Sequence, residues 1–438
     1  MFGLFTSPDK QMRTNARNWL DVADRVFNYR RDELGEAELA DLQKKTETLR
    51  TQVREKAGAE KLKLSIEELE PVLRKTGGRI YPHSGLREWV EFFVVAAILL
   101  IGMRQFFVQP FKIPTNSMWP TYNGMVPEVH AKIEDEPGAA ANLFRKITLG
   151  ASAHRVDAQA GGELLIPMAN GRLLRSPSKG RQWLVFPQAQ YQYEFYVGNE
   201  KRTPNGATGV EVRPMASVSV PQDFDMRMLL RDALAPDAPD FETALAKMDY
   251  VERTGSDSNG NPVRIQFFRT GKYVKEGERA LSFDIITGDQ LFVDRMSYHF
   301  VRPRVGSGFV FRTTNIPGTI DENRNHIDSY YIKRLGGQPG DKLQVRNGVL
   351  YRNGAPITGA KAFDDNATRS GKYRGYQDIG LLAEGKTYTV SEDGYIALGD
   401  NSYNSSDSRY WGEVPKKDAV GRPLWVFYPF TSHWGPAK

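Results

Sequence analysis

The hydrophobic pattern changes character along the chain. Between residues 10 and 80 apolar positions recur at helical spacing. Trp19, Ala23, Val26 and Phe27 share one face, and Leu39, Leu42, Leu49 and Val53 follow a short a/d-like repeat that Thr46 interrupts. Ser65 with Glu68, just ahead of Leu69, predicts a helix start by a capping box, and Gly77-Gly78 predicts the end of that piece. The pattern suits a small helical hairpin, with a coiled-coil docking module as the lesser alternative because the heptad is short. Then Phe92–Val108 (FFVVAAILLIGMRQFFV) is apolar apart from Arg104 and Gln105, and with Trp89-Val90 it reaches the lower limit for a bilayer-spanning helix. Arg104 stands near the far end, where it can snorkel to the interface. Trp89 and Phe106-Phe107 occupy places expected of interfacial aromatics, and Arg74, Lys75, Arg79 and Arg87 put the N-terminal side in the cytoplasm by the positive-inside rule.

From residue 124 to residue 287 the stretches QWLVF, YQYEFYV, VEVRPMASVSV and VRIQFF read as strands, while DMRMLLRDALA and FETALAKMDYV read as helical. The expectation is a separate folded insertion of mixed α/β type. Asp257, Asn259 and Asn261 imitate the opening of a calcium loop, but Pro262 replaces the turn glycine and Phe268 the bidentate glutamate, so a polar hairpin turn is expected. After Thr287 the strand signals crowd together (DQLFVDRMSY, GFVFRT, SYYIKRL, DKLQVRNGVLYRNG, DGYIALGDN), as in an all-β domain.

Composition narrows the chemistry. The 438 residues leave room for two or three domains, and the net charge of +6 comes without the dense basic tract of a nucleic-acid binder. With no cysteine in the sequence, disulfides, thiolate catalysis and cysteine–zinc sites are excluded. The six histidines lack HxxxH or HExxH spacing, so a zinc hydrolase has little to stand on. MFGLFTSPDK lacks the charged and apolar regions of a cleavable signal peptide.

Candidate chemistry sits in three boxes. In FFVQPFKIPTNSMWPT, Pro110, Pro114 and Pro120 prevent a continuous helix and predict a stiff, extended loop carrying Ser117, either a nucleophile or a plain turn residue. At ~3.3 Å per residue that loop stays within about 30 Å of the end of the apolar segment. In YIKRL, alternation puts Lys333 on the face of Tyr331 and Leu335; burial there would lower its pKa and make it a base, the alternative being an edge-strand lysine that guards against aggregation. GDNSYNSSDSRYWGEVP reads as a turn built on side-chain hydrogen bonds, with Arg409 available to Asp400 or Asp407.

In their order and internal spacing these boxes, with TGDQLFVDRMSY, YIKRLGGQPGDKL, RNGVLYRNG and VGRPLWVFYPF, resemble the bacterial-type (type I) signal peptidases, membrane-anchored Ser/Lys endopeptidases. The likeness covers about Glu88–Tyr122 and Gly288–Phe430. It implies a mainly β catalytic domain of the signal-peptidase fold, with an N-terminal helical region, one transmembrane helix and a mixed α/β insertion. The implied boundaries are 1–87 for the cytoplasmic helices, 88–108 for the span, 109–123 with 288–438 for the catalytic domain, and 124–287 for the insertion.

The same resemblance implies Ser117 as nucleophile and Lys333 as general base, with Thr115 (Ser or Gly in the family) and the Ser117 N–H as the oxyanion hole. It further implies Ser405 as the hydroxyl that orients the lysine, and Asp400, Asn401, Asp407, Ser408 and Arg409 as a structural clamp. The implied substrates are secretory preproteins cut after small residues, at the outer face of the bacterial plasma membrane, with the lipid bilayer as the other partner, no nucleic acid and no cofactor. Met118 and Trp119, beside the serine, are candidates for resting in the lipid surface, with packing against the strands as the alternative for Trp119. Two departures stand out: Ser402-Tyr403 replace the family's Arg-Asp, and Gly306-Ser307 its Gly-Asp. Competing readings are a self-cleaving repressor, which would need a DNA-binding head, and a catalytically silent membrane scaffold.

Overall fold

Two separately packed units divide the chain, Met1–Gly102 and Met103–Lys438. The computed structural model describes residues 7–82, 85–182, 186–202, 208–256, 262–320 and 324–438; the calcium-like positions Asp257, Asn259 and Asn261 lie outside them.

The first unit contains three packed helices, α1 (Pro8–Arg30), α2 (Glu36–Arg54) and α3 (Ala59–Thr76), in place of the expected hairpin. Ala16, Leu20, Ala23, Val26, Leu42, Leu49, Leu62, Ile66, Leu69 and Leu73 form one buried stripe system. Thr46 lies within that seam, buried, and does not break it. The capping-box expectation at Ser65 fails. Burial of Leu62 extends the apolar face upstream, α3 starts after Gly58, and Ser65 is mid-helix with its hydroxyl donating to Gln52 Oε1 at 2.9 Å. The C-terminus falls at Gly77 as expected, where its N–H reaches Leu73 O at 2.7 Å.

Helix α4 (Gly85–Gly102) continues through a π-helical turn, Met103–Phe107. Trp89–Phe107, 19 residues with mean hydropathy 1.9 and none of that stretch buried, is long and apolar enough to cross a membrane.

In the second unit the chain passes straight from that turn into β1 (Val108–Lys112). The main sheet is completed by β2 (Gln290–Asp294), β3 (Gly308–Arg312), β4 (Tyr330–Gly337), β5 (Gly394–Leu398), β6 (Val414–Pro415), β7 (Ala419–Tyr428) and β8 (Gly435–Pro436). Its order is β1-β2-β7-β3-β4-β5-β6, with β8 beside β7 and every pairing antiparallel. Because β1 pairs with β2, all of residues 113–289 leave and return at one edge of this sheet. The second half of β4 is buried on both faces, so Lys333 and Arg334, which point to opposite sides, are both 3% exposed or less.

The inserted region forms a seven-stranded and a three-stranded sheet among the described residues. With these pack helices α6 (Met226–Leu234) and α7 (Phe241–Leu245) around a core that includes Phe195, Phe224, Leu229 and Phe283, while helix α5 (Ala139–Thr148) buries none of its residues. FETALAKMDYV is helical only in part, since Tyr250 and Val251 are drawn into a strand opposite Phe268 and Phe267. The insertion is no detached domain. Arg374 pairs with Asp240 at 2.6 Å, and Asn404 Nδ2 donates to Asp225 Oδ2 at 2.7 Å, so it packs within the same unit as the main sheet.

Candidate active site

The nucleophile box is tighter than the expected extended loop. Thr115 is extended, and Asn116–Met118 close one 3₁₀ turn in which the Trp119 N–H reaches Asn116 O at 3.2 Å. Within that turn Asn116 and Met118 are buried, which leaves the half-buried Ser117 as the residue facing outward. Met118 packs with Ile113, Tyr122, Leu291 and Val310, so the expectation that it rests in lipid fails: a fully enclosed side chain cannot reach a membrane. Trp119 is half-buried, with Lys372 Nζ 5.1 Å from its ring centroid.

Asn116 holds the turn. Its amide nitrogen donates to Met125 O at 2.9 Å, its amide oxygen accepts the Gly124 N–H at 2.9 Å, and its carbonyl accepts from Asn401 Nδ2 at 3.0 Å. Gly124 is packed so closely that a Cβ there would lie 2.3 Å from the Thr115 carbonyl carbon. Sequence reasoning missed Asn116, because a polar residue in a proline-rich loop reads as solvated.

Lys333 lies on β4 opposite Phe309 of β3, with Nζ 6.0 Å from the Tyr331 ring centroid. Burial lowers its pKa to about 8; Asp407 acts the other way and Arg409 adds to the lowering. Of the two alternatives for this lysine the buried one holds. β4 is an inner strand flanked by β3 and β5, which removes the edge-guard reading.

The loop after β5 supplies the scaffold. Asp407, fully buried, receives Arg409 Nε on one oxygen and Arg409 Nη2 on the other, each at 2.8 Å. It also accepts the Gly399 N–H at 2.9 Å and the Ser405 hydroxyl at 2.8 Å. Ser402 joins this clamp. Arg409 donates to its hydroxyl and, at 2.8 Å, to its carbonyl, while that hydroxyl accepts the Gln377 N–H at 2.8 Å. The neighbouring Tyr403 ring carries the Arg374 guanidinium at 3.9 Å. Ser408 Oγ accepts the Ala397 N–H at 2.9 Å.

Asp400 does not bond to Arg409. It pairs with Arg334 through Nε–Oδ1 at 2.7 Å and Nη2–Oδ2 at 2.6 Å, and receives the Thr121 hydroxyl at 2.5 Å. Burial opposes the charge on Arg334, but Asp400 more than offsets this and holds its pKa above the usual value. Arg334 Nη1 also donates to Gly306 O at 2.6 Å, which ties the Gly306-Ser307 turn to the same pair. Arg334 was legible only as the residue beside the lysine; nothing in its spacing pointed to Asp400.

Ser117, Thr115 and Lys333 line one cavity of about 510 Å³, whose walls include Phe111, Ile113, Leu291, Tyr331, Asn404 and Ser406. Ser405 is buried outside this lining, packed against Gly399 with its hydroxyl on Asp407. A serine and a buried lysine with lowered pKa in one mainly apolar cleft have the components of a nucleophile–base pair. Among the described residues no three His, Cys, Asp or Glu side chains are grouped to hold a metal ion.

Comparison with known proteins gives a consistent picture. The family described as "Signal peptidase, peptidase S26" matches residues 265–428, a stretch that contains Lys333 and the clamp and leaves Ser117 outside. The probable signal peptidase I-1 of Synechocystis is 30% identical over 148 residues, 34% of this chain and 66% of that one. Signal peptidase I of Leptolyngbya laminosa is 33% identical over 141 residues, 32% and 61%. Signal peptidase I P of Bacillus subtilis subsp. natto is 30% identical over 167 residues, 38% and 80%. The chain thus spans just under two thirds of the two cyanobacterial relatives and more of the Bacillus protein.

Proposed function

The chain belongs to the signal peptidase family, peptidase S26, and with that as premise we propose that it is a serine endopeptidase that removes N-terminal signal peptides from secretory preproteins. The single observation that carries this reading is the shared cavity of Ser117 and Lys333, with the lysine fully enclosed and its pKa lowered to about 8. Near neutral pH a useful fraction of such a lysine is the free amine, which ordinary lysine is not.

In this reading Lys333 Nζ takes the Ser117 Oγ proton as Oγ attacks the scissile carbonyl. Thr115 Oγ1 and the Ser117 N–H stabilise the oxyanion, and the amine leaves with the proton that Lys333 returns. Water activated by the same lysine then cleaves the acyl-enzyme. Ser405 donates its hydrogen to Asp407 and keeps lone pairs to accept from the lysine amine, which would orient it. The preprotein lies extended in the cleft, and its small side chains enter the apolar pockets.

The proposed setting is the outer face of the bacterial plasma membrane, with Trp89–Phe107 as the single span and the N-terminal helices in the cytoplasm. Apolar surface on the second unit supports a lipid-side orientation. α5 exposes Leu143, Phe144 and Ile147, and the Phe430 N–H bonds to Thr148 O at 3.0 Å, which joins α5 to the exposed rings of Phe430 and Trp434.

The test is cleavage of a preprotein by the detergent-solubilised full chain, beside Ser117→Ala and Lys333→Ala. Cutting after a small-x-small site, lost in both variants, supports the assignment. Wild type and variants equally inert on several preproteins would instead favour a scaffold.

A further inference from the structure

Residues 222–225 form a loop of the inserted region, and Asp223 within it lines the Ser117–Lys333 cavity. This loop is pinned on both sides of Asp223. Before it, the Gln222 N–H bonds to Ala189 O at 3.2 Å. After it, Phe224 is buried in the insertion core with its ring stacked on Phe283, centroids 6.3 Å apart. Asp225 caps α6 through Oδ1 and with Oδ2 receives Asn404 Nδ2 at 2.7 Å, and Asn404 is itself a cavity residue. The backbone therefore fixes the point on the cavity wall from which the Asp223 side chain rises.

Among the described residues Asp223 has no ion-pair partner within 4 Å. Its field nonetheless acts on both walls, since it attracts Lys112 at the end of β1 and opposes ionisation of Tyr331 on β4. Both Lys112 and Tyr331, the latter two residues before Lys333 on β4, line the same cavity as Asp223. Asp223 thus shares the cleft of the Ser117–Lys333 pair on the side of Lys112 and Tyr331, where a neighbouring part of an extended chain would lie. Lys112 and Asp223 attract each other across the cleft without touching.

We propose that Asp223 is a specificity-determining residue, contributed by the insertion, that reads the charge of one substrate side chain and favours Lys or Arg over Asp or Glu there. The inference rests on the peptidase reading and names a preference within it. Its physical basis is an asymmetry of mobility. Both side chains reach solvent, but Lys112 carries its ammonium on a long flexible stem that can turn aside from a substrate cation, whereas the short Asp223 side chain rises from a backbone pinned on both sides and has less room to retreat from a substrate anion. Apolar neighbours such as Phe111, Ile113 and Tyr330 reduce the screening of that encounter.

The experiment uses the full chain in detergent and peptides with one small-x-small site. A single Lys, Gln or Glu is placed in turn at each position from five before to three after the scissile bond. At one position kcat/KM for Lys should exceed that for Glu by about fivefold, with Gln between them, the scale of a partly screened charge pair. Asp223→Asn should bring that ratio close to one and Asp223→Lys should reverse it, while the apparent pKa of the rate stays where Lys333 sets it. A ratio under twofold at every position in the wild type, or one that persists in Asp223→Asn, overturns the proposal. Failure of the wild type to cut the Gln peptides would sink the peptidase reading, and the assignment of Asp223 with it.

Discussion

The backbone N–H of Asn401 is hydrogen-bonded to the carbonyl oxygen of Ser117 at 3.1 Å, so the loop after β5 and the turn that carries the serine are fastened to each other. Two residues earlier, Gly399 leaves no room for a side chain: a Cβ would lie 2.1 Å from Ser405 Oγ and 2.6 Å from the Ser117 carbonyl oxygen. Through these contacts the clamp positions Ser117, the proposed nucleophile, although neither Asn401 nor Gly399 needs to touch substrate.

Gly399→Ala should therefore push the serine turn away from the cleft. A displacement of about 1 Å is expected to lower kcat about 100-fold. Rates measured beside a circular dichroism spectrum check this; a near-normal kcat in a folded variant would show that the two loops are not mechanically coupled.

With Lys333 as the proposed general base, the pH dependence of the rate follows from its pKa. With its pKa lowered to about 8, the rate should rise as pH passes through that value and level off above it, and Lys333→Arg should be inert because its guanidinium stays protonated. A rate still climbing through pH 10 would contradict an enclosed amine. Stability follows the same sign. Between about pH 8 and the unfolded lysine's ~10.4 the unfolded chain holds more protons, so raising pH across that window stabilises the folded form. Urea melts of wild type and Lys333→Met should converge as pH rises from 7 to 9.5.

Thr115 lines the cavity beside Ser117. If its hydroxyl is an oxyanion donor, Thr115→Val should reduce kcat about 100-fold, the usual cost of ~3 kcal/mol for such a donor, with KM little changed. Thr115→Ser should restore most of the rate. Equal rates in Thr115→Val and wild type would remove Thr115 from the mechanism.

The two buried ion pairs predict a graded loss of stability. Arg409→Met strands the enclosed Asp407, and Arg334→Met strands Asp400; each should cost about 3–5 kcal/mol. Ser402→Ala removes a hydroxyl shared by Arg409 and the Gln377 N–H and should cost ~1–2 kcal/mol. Denaturant titration distinguishes these; a Ser402→Ala loss as large as that of Arg409→Met would mean that Ser402 is central to the clamp and not an accessory of it.

Much of the fold could be read from periodicity. Alternation in YIKRL located β4, the GFVFRT run located β3, and the apolar stretch ending at Val108 matched the long exposed helix. Periodicity erred where tertiary burial overrode a local signal, as at Ser65, where burial of Leu62 carried α3 past a sound capping box. It erred again in FETALAKMDYV, where strand pairing captured Tyr250 from a helical pattern.

The candidate site divides along the same line. Ser117, Lys333 and the residues of the GDN loop stood out because their chemistry is local: a serine bounded by prolines, a lysine in an apolar strand, a loop dense in hydroxyls and carboxylates. Which charge meets which was not local. The choice between Asp400 and Asp407 as the partner of Arg409, the pairing of Asp400 with Arg334, the burial of Asn116 and the arrival of Asp223 from the insertion all depend on strand order. The sequence by itself determined which groups are present and the period of each element, since side-chain direction within a strand or helix follows from the backbone alone. Only the tertiary structure decided their partners and the lowered pKa of Lys333, because desolvation and pairing are set by residues distant in the chain that the sheet brings together.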